Sequence, residues 1–471
     1  MKIWCLNPPA ADGVRIVREG RCMQREGAWT AVWAPVSLAL SAAVARERGH
    51  EVRLNDCIVE ELDGAAVQRI ARAWQPDLVL LNTATPSLDS DLHTVSLLKQ
   101  EVPGCAVAAF GVHPTVLPEQ CLTQQPALAA AILGEPEFAL IEIAEVLSGE
   151  RGWESVTGLM YRDHGQFVRT APRPLMTSLD VLPFPAWDLI DRTRYRMPFT
   201  NEQFLLVATG RGCPYYCNMC ADTAFYGHKL VLKSPGRVVD ELAWVRDTFG
   251  IRDFLFWSES FTINRKFAFT VAQQIARRNL GVRWVCNSRV DNVDLELLTT
   301  FKRAGCWMIG YGIESGTQAT LDRMNKAATL DQARRAVRWS HQAGLEVTGH
   351  CVIGYPGETL ADMRQTVRFA MELDLDFAQF YCAVPFPGSV LYEQAQQNGW
   401  LATRDWTRYE QNFSVLRTPE FTSDDVERVR RWAYRRFYFR PKTVLRTVRR
   451  LKTVEHWQRF YQMARGFLGW I

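Results

Sequence analysis

The chain has 471 residues, 47% hydrophobic and 23% charged, with a formal net charge of +4. That length exceeds what one hydrophobic core usually organises, so two or three domains are expected. No apolar run is long enough for a membrane-spanning helix. The opening MKIWCLNPPA lacks the basic, apolar and small-residue parts of a secretion signal, so a cytoplasmic location is expected.

Residues 1–148 alternate short apolar runs with amphipathic segments. The pattern predicts strands at Lys2–Leu6, Val52–Leu54, Leu78–Asn82, Ala106–Phe110 and Ala131–Leu133. Helices are predicted at Pro35–Arg48, Leu62–Trp74, Leu88–Gln100 and Glu137–Leu147. This is an α/β pattern, a Rossmann-like parallel sheet whose ligands gather at the strand C-termini. The loops there are Asn7-Pro8-Pro9, Thr83–Ser87, Gly111–Thr115 and Gly134–Glu137, rich in small, turn-forming or polar residues. No G-x-G-x-x-G follows the first strand and no P-loop motif occurs, which argues against a dinucleotide or a nucleoside triphosphate.

Residues 149–200 are looser, holding short strand candidates and Leu182-Pro183-Phe184-Pro185, and read as a linker. From 201 to 398 the alternation resumes. Strands are predicted at Phe204–Thr209, Asp253–Trp257, Arg283–Asn287, Met308–Ile313, Glu346–Ile353 and Phe377–Ala383. Helical patterns at Arg237–Phe249, Arg265–Arg278, Leu330–Ala343 and Thr359–Leu373 separate them. Such units predict a partial (β/α)6 TIM-type barrel with its chemistry at the strand C-termini. Residues 399–471 read as helical and basic: Phe421–Ile471 holds thirteen Arg and Lys against four Asp and Glu.

Twelve cysteines are present, and only Cys213, Cys217 and Cys220 are bunched. They lie in Gly210-Arg-Gly-Cys213-Pro-Tyr-Tyr-Cys217-Asn-Met-Cys220, directly after the first barrel strand. Thiolates suit iron–sulfur clusters and zinc. Three thiolates can hold one face of a cubane and leave a fourth iron open. The alternative is zinc with a distant fourth ligand, for which His228 is the nearest candidate, although the second knuckle usual in zinc sites is missing.

At these residues the sequence resembles the radical SAM superfamily, whose hallmark is C-x-x-x-C-x-x-C after the first barrel strand. The resemblance implies a [4Fe–4S] cluster on Cys213, Cys217 and Cys220, with the open iron chelating S-adenosylmethionine (SAM). Reductive cleavage then gives a 5′-deoxyadenosyl radical that takes a hydrogen atom from substrate. By the same resemblance Glu259, in Trp257-Ser258-Glu259-Ser260, contacts the SAM amino group. Asn287, Arg289, Glu314 and Ser315 contact its carboxylate or ribose, and Met219 and the Gly354–Thr359 segment lie near adenine.

A parallel sheet ahead of such a barrel resembles the cobalamin-binding subclass, as do Asn7-Pro8-Pro9, Gly111-Val-His113-Pro114-Thr115 and Gly134-Glu135-Pro136-Glu137. The resemblance implies a corrinoid on an edge formed by Thr83, Thr85, Ser87, Gly111, His113, Gly134 and Glu135. The Asp-x-His-x-x-Gly ligand motif is replaced by Asn55-Asp56-Cys57-Ile58-Val59, so no histidine from that motif reaches cobalt.

The subclass most often methylates an unactivated carbon or phosphorus, and here an unactivated carbon of a small-molecule or lipid-like substrate is expected. Oxidative cyclisation or ring rearrangement, as in the anaerobic cyclase of chlorophyll synthesis, is the alternative. From a different class comes a non-catalytic cobalamin-binding module, and from another a zinc-stabilised nucleic-acid protein. A reducing donor such as flavodoxin or ferredoxin is implied. The basic, aromatic stretches Arg428–Arg440 and Lys442–Lys452, and the end Phe467–Ile471, fit an amphipathic helix packed on the barrel or a peripheral contact with the inner face of a membrane. No nucleic-acid partner is expected.

Overall fold

A computed structural model describes residues 1–10, 13–19, 23–25, 32–197 and 200–450. The first sheet is built on Lys2–Asn7 (β1), whose run of buried residues marks a central strand covered on both faces. It pairs in parallel with Glu51–Asp56 (β2) on one side and Leu78–Asn82 (β3) on the other. Ala106–Phe110 (β4) and Ala130–Ile132 (β5) extend the parallel run. Two antiparallel strands, Leu159–Asp163 (β6) and Gln166–Arg169 (β7), complete the order β2-β1-β3-β4-β5-β6-β7. His164 and Gly165 turn this hairpin with φ of 43° and 83°, the double positive φ that a two-residue turn of matching twist requires.

Part of the stretch expected as a linker therefore belongs to the first sheet. The rest is pinned at both ends. Tyr195 Oη donates to Asp56 Oδ2 at 2.7 Å, and Ala186 N bonds Ala39 O at 2.9 Å. On the other side Ser234 N bonds Asp180 Oδ1 at 2.7 Å, and the Arg237 guanidinium lies 3.9 Å from the Phe184 ring centroid.

The helix Val36–Glu47 (α1) is buried from Val36 through Ala45. A helix apolar all round must be covered on all sides, and α1 packs on the first sheet, on Pro136–Leu147 (α2) and on the first barrel strand. At ~2 kcal/mol for each large apolar side chain, Val36, Leu38, Leu40 and Val44 contribute on the order of 8 kcal/mol. One hydrophobic core is thereby continuous through both α/β units.

The second sheet contains Phe204–Ala208 (β8), Asp253–Trp257 (β9), Arg283–Ser288 (β10), Cys306–Glu314 (β11), Glu346–Ile353 (β12) and Phe377–Cys382 (β13), in that order and all parallel. This is the expected partial barrel. Beyond it, the helix Ser423–Tyr438 (α3) buries Val426, Val429, Ala433, Tyr434 and Phe437. Tyr434 Oη accepts from Phe380 N at 3.2 Å, and Tyr438 Oη donates to Ala378 O at 2.8 Å, so α3 is stitched onto β13. The packed-helix expectation holds for this part; the Phe467–Ile471 end lies outside the described residues. No helix of the described residues is long and apolar enough to cross a membrane.

Candidate functional site

The C-terminal ends of the barrel strands open into a cavity of about 200 Å³, and Cys213, Cys217 and Cys220 line it. The loop carrying them is closed at its base by an antiparallel ladder that pairs Gly210 with Leu232 and Arg211 with Val231. Gly212 has φ of +82°, and a Cβ there would meet Lys229 O at 2.2 Å, so only glycine fits before the first cysteine. Asn218 N bonds Met324 O at 2.9 Å and Asn325 Nδ2 bonds Tyr216 O at 2.8 Å, tying the loop to the segment after β11.

Met219, Glu259, Asn287, Arg289 and Glu314 share the cavity wall with the cysteines. Arg289 forms an ion pair with Asp291 at 2.9 Å, stacks 3.7 Å from the Tyr215 centroid and places Nη1 3.8 Å from Cys217 Sγ. Glu314 sits at φ of 61° and pairs with Lys326 at 2.6 Å. A Cβ on Gly312 would strike that pair, 2.5 Å from Glu314 Oε1 and 2.7 Å from Lys326 Nζ. One on Gly310 would lie 2.4 Å from Asn287 Oδ1. The two glycines of β11 thus leave room for polar groups inside the barrel.

Sequence reasoning missed Lys326, His350 and Tyr381, which also face this cavity. The His350 and Tyr381 rings are parallel within 7°, with centroids 6.0 Å apart. For His350 and Tyr381 the signal was a polar residue at an alternating position of a buried strand, whereas Lys326 lies in a loop. Two expected contacts lie elsewhere. Ser315 is fully buried and bonds Thr366, and Gly354 is covered by Val426 of α3, where a Cβ would come within 2.7 Å. Both serve packing at the barrel rim.

At the C-terminal edge of the first sheet, Thr83 and Gly111 line a second, much smaller cavity of about 10 Å³. Gly111 has φ of +132°, and its missing Cβ would lie 2.0 Å from Thr83 O. Asn82, which the sequence reading passed over, is 1% exposed there, and among the described residues neither polar atom of its amide has a partner, nor has Thr83 Oγ1. Met23 and Val112 belong to the walls of both cavities.

The other expected contacts of this edge are turned to the chain's own use. Ser87 donates to Asp91 Oδ2 at 2.6 Å, within a buried network around Arg18. Thr85 Oγ1 lies 3.2 Å from Nδ1 of His113. His113 is fully buried against Trp406, ring centroids 5.0 Å apart, and burial pushes its pKa down to about 4 against an opposing bond from Gln120. Gly134 N donates to Thr115 Oγ1 at 3.0 Å. Glu135 is paired with Arg211 at 2.8 Å.

The donors fit the implied groups. Three thiols on one cavity wall are the soft set that a cluster with one open iron needs. His228, the fourth ligand of the zinc alternative, is instead exposed and stacked on Tyr216 at 4.2 Å. Among the described residues no three His, Cys, Asp or Glu side chains gather as a single-ion site. The unpartnered amide of Asn82 and hydroxyl of Thr83 suit a ligand fringed with hydrogen-bonding groups, as the amide-bearing corrin is.

The model of the radical SAM superfamily matches residues 207–370, and that of the B12 binding domain matches 29–144. An uncharacterized methyltransferase of Pyrococcus horikoshii is 32% identical over 415 residues, 88% of this chain and 90% of that one. The anaerobic magnesium-protoporphyrin IX monomethyl ester cyclase of Cereibacter sphaeroides is 26% identical, over 87% of this chain and 67% of its own. A solved structure of the radical SAM methyltransferase TsrM of Kitasatospora setae, with cobalamin and a [4Fe-4S] cluster bound, matches with a TM-score of 0.68. That match covers 94% of this chain and 86% of the other at 18% identity, a likeness of fold. The chain is a radical SAM enzyme and belongs to the family in which a B12-binding domain precedes the radical SAM barrel.

Proposed function

We propose that the protein is a cobalamin-dependent methyltransferase acting on an unactivated carbon of a small-molecule or lipid-like substrate. The observation that carries this reading is the shared wall: Met23 and Val112 border both the cysteine-lined cavity and the cavity beside Asn82 and Thr83. A cluster held by the three cysteines would supply the electron that cleaves SAM, and a corrinoid lying against the Thr83–Gly111 edge would supply the methyl group.

Cys213, Cys217 and Cys220 hold the cluster in this proposal. Lys326 would present its ammonium to the SAM carboxylate, and Glu314 keeps Lys326 in place at the cavity wall. Glu259 and Asn287 flank the same ligand. Arg289, already paired with Asp291, directs its remaining N–H toward the Cys217 sulfur. Thr83 and Asn82 bond the corrin fringe, and Gly111 lets the backbone approach it closely.

The reducing electron comes from a donor such as flavodoxin or ferredoxin. A reducing cytoplasm is supported by the free thiols Cys5, Cys57, Cys105 and Cys121 in the first sheet's surroundings. Peripheral contact with an anionic membrane is supported by the exposed Trp432 and Phe439 beside Arg431, Arg435 and Arg436 on α3. Cyclisation without methyl transfer is the second reading, favoured by the 26% identity to the cyclase.

Anaerobic purification with iron and hydroxocobalamin, beside a Cys213→Ala control, tests the proposal through iron, sulfide and corrinoid content. About four irons and one corrinoid per chain, with iron lost in the control, are expected. Iron without corrinoid removes the methyl-transfer reading, and zinc in place of iron removes the cluster.

A further inference from the structure

The cysteine loop is fastened to the first sheet on both flanks. Before Cys213, Arg211 reaches across to the turn after β5 and the start of α2: Nη1 lies 2.8 Å from Glu135 Oε1, and Nη2 lies 2.5 Å from Glu137 Oε1. The three side chains are 6%, 10% and 0% exposed. After Cys220, the short helix Asp222–Tyr226 packs on Val112–Val116. Phe225 O comes within 3.4 Å of where a Cβ of Gly134 would stand.

A buried Arg with two carboxylates is an expensive way to hold two surfaces together. Apolar side chains of the same volume usually stabilise as much or more, because desolvating the charges offsets their attraction. What the charges add is register. Apolar faces can slide, whereas a guanidinium forked onto one carboxylate and bonded to a second accepts a single arrangement. That arrangement is set between the residue two places before Cys213 and the turn beside the Thr83 edge.

We propose that Arg211 is a positioning residue that, through Glu135 and Glu137, sets the spacing between the cluster-binding loop and the corrin-binding edge. Its side chain lines neither cavity. The proposal rests on the two-cofactor reading, so iron and corrinoid content of the unaltered chain is measured first; absence of either there is a failure of that reading, distinct from a failure of this one.

The test uses full-length chain loaded with both groups and two variants. Arg211→Lys keeps one charge but loses the fork. The triple variant R211M/E135Q/E137Q removes all three charges of the trio, so neither carboxylate is stranded without its cation, while the buried Glu19 nearby keeps its hydrogen bonds from Ser37. Thermal melting and iron and corrinoid content report whether each half is intact. The spacing is read by electron paramagnetic resonance, as the change that the reduced cluster imposes on the cob(II)alamin signal. Both variants are expected to bind iron and corrinoid as the unaltered chain does, with that spectral interaction reduced, more in the triple variant than in Arg211→Lys. An unchanged interaction in both overturns the proposal. So does loss of iron or corrinoid from the triple variant, which would make the trio a general support of the fold.

Discussion

Lys326 Nζ lies 2.6 Å from Glu314 Oε1 at the mouth of the barrel, with the two side chains only 8% and 10% exposed. One comes from the end of β11 and the other from the loop after it, so the pair draws that loop over the cavity. Lys326→Met is expected to destabilise the protein by about 3 kcal/mol, since it strands a buried carboxylate. The double variant K326M/E314Q should recover most of that loss. SAM affinity, measured by equilibrium binding to cluster-loaded protein, should fall at least ~10-fold in both. A double variant that binds SAM normally would remove Lys326 from the SAM site.

Arg289 offers a second measurable effect. A cation 3.8 Å from Cys217 Sγ favours the more negative, reduced state of a cluster on that thiolate. Arg289→Met should lower the reduction potential by roughly 50 mV, about a tenfold change for a one-electron couple. Redox titration followed by electron paramagnetic resonance checks this, and a potential that does not fall would show that the contact carries no weight.

The buried imidazole of His113 makes stability depend on pH. Its pKa in the folded chain is about 4, held down by burial, while an exposed histidine titrates near 6.5. Between those values the unfolded chain binds the extra proton, so this group's contribution falls as pH drops from about 6.5 toward 4. Among the described residues no Asp, Glu, Lys or Arg contributes to that shift. Melting temperatures of His113→Asn should therefore fall less steeply over this window than those of the unaltered chain. Parallel slopes would contradict the assignment.

Gly111→Ala places a methyl group 2.0 Å from Thr83 O in a backbone conformation of positive φ. A cost of about 3 kcal/mol or more is expected, together with loss of corrinoid binding while the cluster loop keeps its iron. Thermal melts and metal analysis read the two effects separately. Retained corrinoid binding would mean that the Thr83 edge adjusts.

Ending the chain at Thr422 removes α3 and bares β13, whereas ending it at Arg450 leaves both in place. The first truncation should aggregate or melt well below the second on size-exclusion and thermal assays. Equal behaviour would show that α3 does not support the barrel.

Strands with apolar runs were readable to the residue: Leu78–Asn82, Ala106–Phe110 and Asp253–Trp257 are predicted and observed with the same ends, as is the alternating strand Glu346–Ile353. The hairpin of β6 and β7 was harder because edge strands are half exposed and short, and Arg162 and Asp163 give no apolar alternation. The helix Leu295–Arg303 between β10 and β11 was also passed over. Cys213, Cys217, Cys220 and Glu314 reach one cavity as their positions at strand ends suggested. Ser87, Ser315 and Glu135 did not, because polar residues at strand ends also serve to tie loops together, and only tertiary partners distinguish the two uses. Lys326 and Arg211 carried no local signal for the same reason: each is defined by a carboxylate that folding brings to it.

Trp406 lies edge-on to His113 at 5.0 Å, and beside it Arg25 donates to Thr407 O at 3.3 Å. These contacts join a segment that follows the whole barrel to loops that precede it. On the ribosome the first sheet emerges and folds ahead of the rest, yet the flank of its Thr85–His113 loop stays uncovered until residue 406 has left the exit tunnel. The first sheet is thus completed only by a strap that follows the barrel, and the flank of its ligand edge is walled by residues from opposite ends of the described chain.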